Sequence, residues 1–123
     1  MINIDDNCSM YIEGGILFFV PHIELKIDLE TARYIVKKRL ELCDGKSYPS
    51  FFEYHKIKYT AKEAREFLAK EGGGGITAVA FYTPNVASRV FINSYLMVYP
   101  PDLPAKFFSN KERGIKWLEQ FIK

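Results

Sequence analysis

ITAVAFY, residues 76–82, decides the fold. The run is short and almost wholly apolar, which reads as a strand buried on both faces. Such strands belong to parallel sheets covered by helices on each side. The two-residue period of a strand then sets Val79 and Phe81 on one face, and Ala78 and Ala80 on the other. Just upstream stand four glycines, 72–75. A phosphate-binding glycine loop follows a strand and opens a helix. Here the order is reversed, so the run reads as a helix C-cap and flexible connector. Downstream, Pro84 and Asn85 start a helix running to about Tyr99. Pro100, Pro101 and Pro104 forbid its continuation.

The same logic extends outward. CSMYIE (8–13) and ILFFV (16–20) read as a hairpin closed by Gly14-Gly15, because glycine accepts positive φ freely. IELKI (23–27) alternates and reads as an extension of the second strand beyond a bulge. Asp28 is a good N-cap for a helix from Leu29 to about Asp44. Leu29, Ala32, Val36, Leu40 and Cys43 fall on one face of it. Gly45 stops that helix. YPSFFEY (48–54) is an aromatic-rich strand. Thr60 caps the next helix in a capping box with Glu63, and Ala64, Phe67 and Leu68 turn inward. AKFF (105–108) is a short strand at or near an edge. Ser109 and Glu112 form a second capping box, and Ile115, Leu118 and Ile122 dock the last helix. The order is ββαβαβαβα, with about four helices on a mixed, mostly parallel sheet, in one α/β domain spanning 1–123. No internal repeat is evident.

The bulk composition narrows function. With 17 basic and 15 acidic residues the formal charge is +2, without the basic stripe of a nucleic-acid binder. Lys37, Lys38 and Arg39 read as a solvated helix face. Neither Cys8 nor Cys43 stands at metal-ligand spacing, and Cys43 falls on an apolar helix face. No secretory signal opens the chain and no stretch is long enough to span a bilayer, so the expected location is the cytoplasm.

The succession of elements resembles the STAS-like, anti-sigma-factor-antagonist domains of bacteria, within the STAS/SEC14-like superfamily. IDLETARYIVKKRLELCDGKSYPSFFEYHKIKYTAKEAREFLA and PAKFFSNKERGIKWLEQFIK carry the likeness. The resemblance implies a single non-enzymatic regulatory or protein-interaction module without cofactor or metal, its partner a protein or a second copy. The alternative, from the SEC14 branch, is a binder of a small apolar or anionic ligand. In sigma-factor antagonists an Asp and a phosphorylatable Ser open a helix after the third strand. Thr60 matches the hydroxyl position, but Lys58 and Tyr59 precede it where the Asp would stand.

The residues themselves place candidate function in two regions. Ligands of open α/β sheets bind outside the carboxyl ends of the strands. There the sequence offers His55, Lys56, Lys58, Thr60, Asn85, Ser88 and Arg89 as a ligand or switch loop, or simply as loop solvation and caps. His22 and His55, the only histidines, are far apart in sequence and suggest no nucleophile pair. The helix after Asn85 is apolar over more than one face, including Phe91, Tyr95, Met97 and Tyr99. That surplus is buried by the chain's own tail, by an interface such as a homodimer, or by an apolar ligand.

Overall fold

The structure, a computed structural model, describes residues 2–3, 8–71, 74–85 and 103–122. The elements run β1 (Ile2–Asn3), β2 (Cys8–Glu13), β3 (Ile16–Pro21), β4 (Leu25–Ile27), α1 (Leu29–Cys43), β5 (Tyr48–Glu53), β6 (Ile57–Thr60), α2 (Lys62–Glu71), β7 (Ile76–Tyr82), β8 (Ala105–Phe108) and α3 (Lys111–Glu119). The helix expected from Asn85 to Tyr99 lies outside the described residues, as do Ser88, Arg89, Phe91, Tyr95, Met97 and Tyr99.

One six-stranded sheet has the order β1-β2-β3-β5-β7-β8. β1, β2 and β3 pair antiparallel, and β3, β5, β7 and β8 pair in parallel. Gly14 and Gly15 turn the hairpin at φ 60° and 82°, a region where a side chain is strained. Each parallel pair needs a crossover, and the crossovers cover both faces. On one face α1 and α2 lie over Met10, Leu17 and Phe19, burying Ala32, Ile35, Cys43 and Ala64. On the other, α3 lies over Ile16, Phe18, Phe51, Ala78 and Ala80 through Leu118. β7 lies inside the sheet with the expected alternation, since Phe81 meets Phe52 and Tyr54 on the face opposite Ala78 and Ala80. β8 ends the sheet, as its sequence suggests.

Several local expectations are corrected. IELKI does not prolong β3. The chain bends after Pro21, and β4 pairs in parallel with β6 as a separate two-stranded sheet. Thr60 is therefore not a helix cap: it ends β6 opposite Ile27, and α2 begins at Lys62. Long-range pairing wins over the local capping signal, and the Ala61 N–H donates to the Ile27 carbonyl at 2.8 Å. Asp28 does cap α1, accepting from Thr31 N–H at 2.7 Å. That bond holds its carboxyl below the ordinary value. At α3 the cap is Asn110, whose side chain accepts from Arg113 N–H at 2.9 Å, rather than Ser109. Ile122 lies beyond the end of α3 and is partly exposed.

On α1 the inward stripe is rotated from expectation. Leu40 is exposed, whereas Arg39 is only 7% exposed. Arg39 donates through Nε to the Gly74 carbonyl at 2.9 Å, and burial pushes its guanidinium down to about 10. Lys37 is solvated as expected and Lys38 pairs with Glu41, but Arg39 belongs to the interior. Gly74 and Gly75 are therefore a held turn rather than a flexible connector. The Gly75 carbonyl also accepts from Tyr48 N–H at 2.9 Å.

Gly114 shows how closely α3 sits. A Cβ there would stand 3.1 Å from Phe51 Cε2 and 3.4 Å from the Phe108 ring. Phe51 is fully buried and has nowhere to go. Helix propensity alone would make any larger residue except proline an improvement. We expect instead that Gly114→Val destabilises the protein by about 1–3 kcal/mol through overpacking, measured by urea denaturation. A variant as stable as the wild type would show that α3 does not approach the sheet this closely.

Candidate functional site

The parallel strands all end on one edge of the sheet, and there the chain repeats itself. Phe18-Phe19-x-x-His22, running out of β3, and Phe51-Phe52-x-x-His55, running out of β5, start in register, Phe18 beside Phe51 and Phe19 beside Phe52. Each strand leads through its histidine into a short strand, β4 or β6, and then into a helix, α1 or α2. The chain thus contains two like β–β–α units side by side. The two histidines, distant in sequence, lie in the turns that follow neighbouring strands.

Around them the polar groups engage one another. His22 Nε2 is hydrogen-bonded to Ser9 Oγ on the adjoining strand. Lys56 Nζ donates to the His22 carbonyl at 3.0 Å. Lys58 pairs with Glu24 at 3.3 Å, and Leu25 N–H donates to the Lys56 carbonyl at 2.8 Å. The turns after β3 and β5 are thereby tied into one surface. His55 stands edge-on to Tyr82 at 6.0 Å. Thr60 is buried, and its side chain hydrogen-bonds the Tyr54 phenol. Burial pushes that phenol above its usual value, against the opposing pull of Thr60 and Arg65. Arg65 Nη1 donates to the Thr60 carbonyl at 3.3 Å. Asn85 N–H donates to Thr83 Oγ1 at 3.2 Å, closing a small turn after β7.

Of the expected loop residues, the structure brings His55, Lys56, Lys58 and Thr60 together around β6. Asn85 follows β7 on the same edge, and Ser88 and Arg89 lie outside the described residues. Sequence reasoning missed Ser9, His22 and Glu53. Glu53 closes β5 beside Tyr82 and meets Lys111 at 3.8 Å. Among the described residues no three His, Cys, Asp or Glu side chains cluster to hold a metal. No described helix is long and apolar enough to cross a membrane.

A family model, Domain of unknown function (DUF7793), matches residues 10–122, nearly the whole chain. The chain belongs to the DUF7793 family. No curated protein matches this DUF7793 chain. Among solved structures it is similar to an uncharacterised protein of the DUF3478 family from Shewanella loihica PV-4, described as having a SpoIIAA-like fold. The two are 14% identical, with a TM-score of 0.64, over 90% of this chain and 91% of that one. At this identity the likeness concerns fold alone, and it supports the STAS-like reading of the DUF7793 architecture.

Tyr54 yields a pH test of this edge. Its folded pKa lies above the usual value near 10, so the folded state holds the proton more tightly than the unfolded chain. The stabilisation is complete below pH about 10 and is lost as pH rises through the folded value. Stability should therefore fall above pH about 10 in urea titrations, and Tyr54→Phe should flatten that fall. Equal slopes for both proteins would place the Tyr54 phenol in solvent.

Proposed function

We propose that this chain is a non-enzymatic regulatory or protein-interaction module of STAS-like type, working in the cytoplasm through the carboxyl edge of its sheet. One observation carries the reading. The tied turns of that edge hold two large apolar side chains in water, Ile23 at 49% and Tyr59 at 58% exposure. Both belong to the β4–β6 region, where Tyr59 is the register partner of Lys26 and the Lys58–Glu24 pair joins the flanking residues. An exposed tyrosine and an exposed isoleucine on one region of the surface, with charged residues near them, have the make-up of interface anchors. His55, Lys56 and Asn85 border the same edge and supply polar contacts, and Thr60 fixes its backbone.

The test uses the tagged protein purified from its native host. A stoichiometric protein partner should copurify, and Ile23→Asp with Tyr59→Ala should weaken its binding at least about tenfold, as loss of anchor residues does. Undiminished binding by the double variant would overturn the assignment of this surface. A lipid-like molecule copurifying with the intact protein in native mass spectrometry would instead support the small-ligand alternative of the SEC14 branch.

A further inference from the structure

β4 is paired on one side only. Its bonds to β6 use alternate residues: the Leu25 N–H donates to the Lys56 carbonyl, and the Ile27 carbonyl accepts from the Ala61 N–H, each at 2.8 Å. In a parallel ladder a residue sends its N–H and carbonyl to one neighbour, and the next residue sends both the other way. The N–H and carbonyl of Lys26 therefore face away from β6. β4 and β6 make a sheet of two strands, so among the described residues no strand pairs with β4 on that side. The N–H and carbonyl of Lys26 make no bond to a described residue.

The side chains along this edge say what it fits. Ile23, Glu24 and Lys26 are exposed, while Leu25 and Ile27 belong to the core. Glu24 is engaged by Lys58 at 3.3 Å, but among the described residues no carboxylate pairs with Lys26. An open strand edge is a template for a further strand. A second copy of β4, three residues long and centred on Lys26, would set two lysines opposite each other, which is unfavourable. A strand with a carboxylate at that place would gain where the copy loses.

We propose that the open edge of β4 takes an extended segment of a partner protein as a third strand, with an acidic residue of that segment opposite Lys26. The segment's backbone bonds the Lys26 N–H and carbonyl, and alternate side chains carry the selectivity. The acidic side chain joins the row begun by Tyr59 and Lys26, which are register partners. The residues before and after it continue the apolar side of Leu25 and Ile27. The segment is thus extended, with an apolar–acidic–apolar pattern. This inference rests on the reading that a protein partner binds beside Ile23 and Tyr59, and it names what that partner presents.

The test is an NMR titration of the whole protein with the capped heptapeptide Ser-Thr-Val-Glu-Val-Thr-Ser, and with the same peptide carrying Lys in place of Glu. Saturable shifts centred on the Lys26 amide are expected, with slowed solvent exchange of that amide. The Glu peptide should bind at least about threefold tighter than the Lys peptide. Lys26→Pro removes the outward N–H and leaves the bonds of Leu25 and Ile27 to β6 in place, so it should weaken binding at least about tenfold. Lys26→Glu should reverse the preference between the peptides, and it decides the matter if the proline variant fails to fold. Absence of saturable shifts, equal affinity for the two peptides, or unchanged binding by folded Lys26→Pro would each overturn the proposal. A wild-type dimer, seen by light scattering, that Lys26→Pro dissociates would assign the edge to a second copy and overturn it too. A copurified partner that loses affinity for the Ile23→Asp, Tyr59→Ala variant but binds both Lys26 variants normally would refute strand addition and leave the surface standing. Loss of affinity in the Lys26 variants alone would remove the two anchors and keep the added strand.

Discussion

Parallel pairing of β3, β5 and β7 is the constraint on which the rest of the structure depends. Phe18 and Phe19 lie beside Phe51 and Phe52, which lie beside Ala80 and Phe81. Parallel neighbours cannot be joined by a tight turn, so each connection crosses a face and must bury it. That requirement puts α1 and α2 on one side, with Phe19 stacked on Phe52 at 4.5 Å between strands. It also sends the carboxyl ends of these strands to one edge. The small alanines of β7 follow from the same constraint, because α3 approaches there with a glycine against Phe51.

Much of this was legible in the residues. ITAVAFY showed a strand buried on both faces, Gly14-Gly15 a hairpin, and Asp28 the start of α1. These signals are local, and nothing distant opposes them. The β4–β6 pair was not legible. Three or four residues carry too little periodicity, and Thr60 with Glu63 satisfies a capping box that long-range pairing overrides. Arg39 misled for a related reason. A charged residue on an amphipathic helix is normally solvated, but here its Nε reaches a carbonyl 35 residues away. At α3 two good caps are adjacent, Ser109 and Asn110, and the sequence pattern favoured the first where the backbone uses the second.

The candidate site was half legible. The carboxyl-edge rule pointed to His55, Lys56, Lys58, Thr60 and Asn85; the fold sets His55 and Lys56 in the turn after β5, Lys58 and Thr60 in β6, and Asn85 after β7. The rule gave no sign of Ser9 or His22, whose contact depends on the hairpin register that sets Ser9 opposite Val20. The repeated Phe-Phe-x-x-His was the available signal, since two like strands side by side bring like residues to like places. Glu53 was invisible because a lone carboxylate at a strand end is ordinarily solvated. Only the register with Tyr82 and the approach of α3 make its surroundings unusual.

Two β–β–α units lie side by side, and β4–β6 pairing builds the surface proposed above for partner binding. Nuclear Overhauser contacts between backbone protons test it most directly. The account predicts cross-strand contacts between Lys26 and Tyr59 and between Ile27 and Thr60, with extended backbone through Thr60. Sequential amide contacts of a helix running from Thr60 into Lys62, without contacts to Ile27, would contradict it.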